Sequence, residues 1–145
     1  MKISDLLESG SLPVYYFAYG MLTDPEIMDG VPLVGKATLP NFEFEMFMYA
    51  NVFPSRGKVY GTLWEVNREV IHRLDQIEGY PTLYDRKMVP VQCNGQRYEA
   101  FVYTLTPESR EELEGSEPSK SYINKLVRGY NNAGIPLEQL QRTLT

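Results

Sequence analysis

Two short stretches of this chain carry residues whose type and spacing could do chemistry. The first is NREVIHRLDQIEG, which holds a carboxylate, Glu78, where an apolar residue is expected. Asn67 opens this run as a good N-cap, and Gly79 closes it as a C-cap signal. Between them Val70, Ile71, Leu74 and Ile77 recur at helical spacing and are expected to form one buried stripe. At about 100° per residue, Glu78 falls inside that stripe, between Ile71 and Leu74. Asp75 falls at its edge, and His72 and Arg73 point outward. A buried carboxylate without a partner is costly, so Glu78 needs either a partner, with local backbone amides or Arg86 the candidates, or a use. A helix C-terminus and apolar neighbours both raise the pKa of a carboxylic acid. A group tuned in that way can take up a proton and return it near neutral pH.

The second stretch is AYGML, residues 18–22, where a hydrophobic strand runs into glycine and a turn. Successive main-chain N–H groups at such a turn can form an anion-binding concavity, and Gly20 would let a ligand approach the backbone closely. The plainer alternative is a bend after a strand.

Other catalytic arrangements are poorly supplied. A single His72 and a single Cys93 exclude a Cys/His zinc cluster built from this chain alone. A serine or cysteine triad would have to use His72, which the helical pattern turns to solvent. The glycines spell neither a P-loop nor a dinucleotide fingerprint. No metal and no cofactor are expected. A net charge of −5 with scattered basic residues argues against nucleic acid as a partner. No apolar run is long enough to cross a bilayer. The acidic, mixed opening MKISDLLESGSLP does not read as a secretory signal, and one cysteine permits no intrachain disulfide. A cytoplasmic protein is expected. Eleven tyrosines are many for 145 residues. They offer apolar walls with hydrogen-bonding tips, suited to a tight core or a small polar-ligand pocket.

These groups need elements to position them. VYYFAYG reads as a buried first strand, and Asp24 before Pro25 as a short helical turn. Residues 32–55 mix strand-like alternation with turn punctuation, and 57–66 (GKVYGTLWEV) form a strand. YDRKMVPVQC and QRYEAFVYTL flank Asn94-Gly95, a strong hairpin signal; Pro90 places the first of them at an edge or a bulge. TPESREELEGSEP is expected to be a solvated acidic loop. In SKSYINKLVRGYNNAG, residues Tyr122, Ile123, Leu126, Val127 and Tyr130 share a helical face, and PLEQLQRTL is a short tail helix. The expectation is one α+β domain over residues 1–145: a strongly curved mixed sheet or small barrel with two or three helices around a cavity, an N-terminal extension (1–13) and an acidic loop (107–118).

Taken in order, YYFAYGML, GKVYGTLWEV, LDQIEGYPTLYDR, FVYTL and PSKSYINKLVRGYNNAGIP resemble the γ-glutamylcyclotransferase family, including its AIG2-like branch. They cover most of residues 14–140. The resemblance implies a barrel-like sheet with a small cavity, across which the glycine turn faces the glutamate. The family's catalytic glutamate falls on Glu78. Its main-chain loop for the glutamyl carboxylate falls on Tyr19, Gly20, Met21 and Leu22. Tyr84 and Tyr122 fall on positions near the site. One departure stands out: Met21-Leu22-Thr23 replaces the family's Ser-Asn-Leu.

The implied reaction cyclises an N-terminal γ-glutamyl group. Its α-amine attacks its own γ-carbonyl, giving 5-oxoproline and a free amine. The nucleophile belongs to the substrate, so the protein must hold it folded and move one proton, with Glu78 as base and then acid. The partner implied is a small γ-glutamyl compound. A γ-glutamylamine cyclotransferase, a binding module without turnover, and a protein whose function lies on its surface are the alternatives.

Overall fold

The structure, a computed structural model, describes residues 13–144, so the expected N-terminal extension lies outside the described residues. Five strands are present: β1 (Val14–Ala18), β2 (Leu33–Met46), β3 (Ala50–Val66), β4 (Tyr84–Cys93) and β5 (Gln96–Leu105). They close into a barrel in the order β1-β3-β2-β4-β5. Only the β1–β5 seam is parallel, so the sheet is mixed. The helices are α1 (Arg68–Glu78), α2 (Pro107–Glu112), α3 (Lys120–Ala133) and α4 (Glu138–Leu144). The α+β barrel expected from the sequence is the one observed, with four α-helices among the described residues where two or three were expected.

Local signals account for the element ends. Asn67 caps α1 by accepting from the Val70 N–H at 2.9 Å, and Gly79 ends it in the left-handed region at φ 66°. Asn94 and Gly95, with φ of 52° and 75°, make the β4–β5 turn. Asp24 starts the expected turn, its carbonyl accepting from the Ile27 and Met28 N–H groups. Pro90 sits in regular register opposite Glu99, without a bulge. It is tolerated because β4 pairs with β2 only near Gln92 and Cys93, leaving the chain at Pro90 with one neighbour.

Three expectations are corrected. The stretch 107–118 is not a solvated loop throughout. Thr106 caps α2 by accepting from the Ser109 N–H, with Pro107 in the first turn, and Arg110 is held by Glu45 at 2.8 Å. Residues 32–55 are less punctuated than they read. Pro40 and Asn41 are absorbed as a bulge in β2, and β3 begins at Ala50, so two long strands pair over most of their length. Ile77 is not part of the buried stripe and is 57% exposed. Six residues after Ile71, it is rotated about 120° away from it.

One core fills the barrel, with Phe17, Leu39, Val59, Leu63, Val91 and Val102 buried. A second packs α1 through Ile71 and Leu74 against Tyr16, Trp64, Phe101 and Tyr103 on the outside of the wall. Adjacent residues on β1 therefore serve different cores, as strand alternation requires. Two glycines set close approaches that matter for the site. A Cβ at Gly61 would lie 2.1 Å from the Ala18 carbonyl oxygen, so only glycine lets β1 lie so close. A Cβ at Gly129 would lie 2.9 Å from Thr23 Oγ1, and its absence seats α3 on the turn after β1.

Candidate active site

A cavity of about 260 Å³ opens on the flank of the barrel where β1, α1, α3 and the β2–β3 hairpin meet. Its buried walls are tyrosines: Tyr16, Tyr19, Tyr84 and Tyr103 are all below a tenth exposed. Glu78 reaches it from the last residue of α1, and Gly20, Met21 and Leu22 from the turn after β1. Tyr122 and Lys125 come from α3, and Tyr49 and Ala50 from the hairpin. The residues singled out in the sequence, Glu78, Tyr19, Gly20, Met21, Leu22, Tyr84 and Tyr122, thus meet around one hollow. From the β2–β3 hairpin, residues 48–56 contribute Tyr49 and Ala50. The 107–118 stretch contributes nothing; it borders a larger groove elsewhere.

Burial pushes the Glu78 carboxyl up from 4.5 to about 7. Among the described residues its carboxylate makes no hydrogen bond and no ion pair. Arg86, the partner considered from the sequence, is taken by Asp75: Nη1 lies 2.9 Å from Asp75 Oδ2, and the guanidinium stacks 3.9 Å over the Tyr80 ring. The other Asp75 oxygen accepts from the Tyr103 hydroxyl at 2.7 Å. Glu78 is left facing phenols. Its charge raises the pKa of Tyr16, Tyr19, Tyr84, Tyr103 and Tyr122 beyond what burial alone does, keeping these hydroxyls protonated.

Most of those hydroxyl protons are already used. Tyr19 donates to the Tyr103 carbonyl at 2.7 Å, and Tyr84 donates to the Ala50 carbonyl. The Tyr122 oxygen accepts from the Ala50 N–H at 3.1 Å, so both ends of that residue's backbone are held by phenols and Tyr122 keeps its own proton to give. Tyr16, 4% exposed, makes no hydrogen bond among the described residues. Two donors, Tyr16 and Tyr122, are therefore free for a ligand. Tyr16 was missed in the sequence. Its signal was there: it shares strand parity with Ala18, at the end of β1 where the turn begins.

The turn itself is oriented by its carbonyls. Tyr130 donates to the Tyr19 carbonyl at 2.6 Å. Thr23 donates to the Gly20 carbonyl from its N–H at 3.1 Å and from its hydroxyl at 2.8 Å. In a trans peptide the N–H points opposite to the C=O. The Gly20 and Met21 N–H groups are thus turned away from these partners, and they stand at the start of a 3₁₀ turn, where amides lack internal acceptors. A Cβ at Gly20 would meet Leu126 at 3.6 Å and Ala50 at 4.0 Å, ordinary contacts. Packing alone does not demand glycine there.

The larger groove, about 820 Å³, runs past Asn51, Asp85 and Thr104, with the Arg110–Glu45 pair lying against Phe47 and Phe53. Its one guanidinium is already held by a carboxylate. The smaller cavity is the one that gathers a carboxyl and phenols without partners among the described residues.

Residues 16–124 match the family described as gamma-glutamyl cyclotransferase, AIG2-like. The chain belongs to this family. A Methanocaldococcus jannaschii protein provisionally named a gamma-glutamylcyclotransferase is 29% identical over 121 residues, covering 74% of this chain and 97% of its own. Gamma-glutamylaminecyclotransferase A of Danio rerio is 33% identical over 88 residues, 59% of this chain and 52% of its own, so the chain spans about half of that relative. A solved structure of a gamma-glutamyl cyclotransferase superposes with a TM-score of 0.76 at 23% identity, covering 92% of this chain and 88% of its own, which shows the shared fold. Among the described residues, no helix is long and apolar enough to cross a membrane.

Proposed function

We propose that this member of the γ-glutamyl cyclotransferase family converts small γ-glutamyl compounds into 5-oxoproline and a free amine, without metal or cofactor, in the cytoplasm. The observation that carries this reading is Glu78: a carboxyl with no partner among the described residues, poised near neutrality, in a cavity shared with the Gly20 turn. The substrate's α-carboxylate docks on the main-chain amides of Gly20 and Met21, an anion on a backbone concavity, with Leu22 and Tyr19 shaping the turn. This requires only amides, so the departure Met21-Leu22 from the family's Ser-Asn leaves the anchor in place. The glutamyl chain folds so that its α-nitrogen lies near its γ-carbon. Glu78 takes a proton from the α-ammonium, the C–N bond of the ring forms, and the same carboxyl returns the proton to the departing nitrogen as the amide bond breaks; the ring nitrogen's second surplus proton is lost to water, from which the freed amine takes one up. Tyr16 and Tyr122, the two phenols with protons to spare, stabilise the oxyanion between these steps. Tyr84 holds the hairpin wall through Ala50.

The test is a product assay. Purified protein is incubated with γ-glutamyl-alanine and with γ-glutamyl-ε-lysine, and 5-oxoproline is measured. Release from either supports the reaction. A folded protein that releases none from both overturns it and leaves the family's fold serving binding without turnover.

A further inference from the structure

Among the described residues the cavity has one cation. Lys125 is the single basic side chain among its lining residues, exposed at the mouth and one helical turn beyond Tyr122 on α3. Among the described residues its ammonium makes no hydrogen bond and no ion pair. The other basic group near the site, Arg86, is neutralised by Asp75. The depth of the lining residues gives the cavity a direction. Glu78, the Gly20 turn and the buried phenols form its inner part, whereas Ile77 at 57% and Tyr49 at 36% exposure, with Lys125, form its rim. A γ-glutamyl group held by the inner part directs whatever is attached to its γ-nitrogen towards that rim.

We infer that Lys125 selects the leaving group, favouring γ-glutamyl-α-amino acids, whose departing amine carries a carboxylate, over γ-glutamyl amides of simple amines. The inference rests on the cyclotransferase reading and refines its substrate class. A γ-glutamyl-α-amino acid presents two carboxylates, and the site presents two anion-binding groups at different depths. The turn amides take the glutamyl carboxylate inside, and the ammonium takes the second at the rim, where Ile77 and Tyr49 offer an apolar surface to the departing residue's side chain. A simple alkylamide leaves the ammonium facing nothing. Because Lys125 is exposed, its attraction is partly screened, so the selectivity is moderate and sensitive to salt.

The experiment compares kcat/KM for γ-glutamyl-alanine and γ-glutamyl-ethylamide, which differ by one carboxylate, in the wild type, Lys125→Met and Lys125→Arg. The wild type is expected to prefer γ-glutamyl-alanine by about tenfold at low salt, and less at high salt. Lys125→Met is expected to bring the ratio to about one, chiefly through a higher KM for γ-glutamyl-alanine, and Lys125→Arg to keep the preference. Equal wild-type rates on the two amides overturn the inference and leave the cyclotransferase reading standing. So does a Lys125→Met variant that loses activity on both in equal measure, since the lysine then serves the glutamyl half. No 5-oxoproline from any of these substrates overturns both.

Discussion

Asp75 and Glu78 are carboxylates one turn apart on the same helix, and the protein treats them in opposite ways. Asp75 has both oxygens satisfied, one by Arg86 at 2.9 Å and one by Tyr103 at 2.7 Å. Arg86 is further committed by the Tyr80 hydroxyl at 3.1 Å. Glu78, three residues on, makes no hydrogen bond and no ion pair among the described residues, and burial lifts its pKa to about 7. Arg86, the partner considered for Glu78 from the sequence, is held by Asp75 instead. The difference teaches that two carboxyls on one helix are set apart by the groups that reach them: Asp75 holds Arg86, and Glu78 has no cation bound to it among the described residues.

The comparison can be broken at either end. The largest effect is expected from Glu78→Gln, which keeps the shape and removes the proton carrier: 5-oxoproline formation should fall by about a thousandfold. Near-normal turnover in that variant would remove the glutamate from the mechanism. The same substitution should raise stability at alkaline pH. The folded protein holds a proton on Glu78 that the unfolded chain releases near 4.5, so stability is fully present below that pH and declines as pH rises to about 7. Denaturant unfolding should therefore find Glu78→Gln more stable than the wild type by up to about 3 kcal/mol at pH 8, with the gap closing near pH 4. A gap independent of pH would contradict a buried, unpartnered carboxyl.

Arg86→Met attacks the other carboxylate. It leaves Asp75 largely buried with one bond lost, and should lower stability by about 1–3 kcal/mol. Turnover of the folded fraction should survive. The two variants would then separate cleanly, one gaining stability and losing activity, the other losing stability and keeping activity. Loss of both in Arg86→Met would show that the Asp75 pair also positions the site through Tyr103. The smallest effect belongs to His72, exposed on the far side of α1: His72→Ala should change stability by less than about 0.5 kcal/mol and leave the rate of 5-oxoproline release where it was.

Much of this arrangement could be read along the chain. The anomaly at Glu78 followed from counting residues around a helix, and the structure places it where that count did. Ile77 shows the limit of the same count: its spacing is helical, but it lies at the stripe's margin, and only the position of the barrel wall decides that the margin is exposed. Thr106-Pro107 was a legible helix start, obscured by the acidic residues that follow it. Tyr16 and Tyr122 stood among eleven tyrosines, and composition cannot tell which phenols have spent their protons. That depends on carbonyls at Tyr103 and Ala50, far along the chain from the residues that bind them.

By itself, then, the order of residues determined the local features: the caps at Asn67 and Gly79, the Asn94-Gly95 turn, the strand parities and the carboxyl inside an apolar stripe. Each depends on a few neighbours whose geometry is set by backbone sterics and short-range hydrogen bonds. Only tertiary structure decided that Arg86 would pair with Asp75 and not with Glu78, that Lys125 would stand at the mouth of the cavity, and that two phenols would be left with protons to give. Those outcomes turn on distances of a few ångströms between elements that meet only when the barrel closes, and electrostatic and hydrogen-bonding preferences change over that same length.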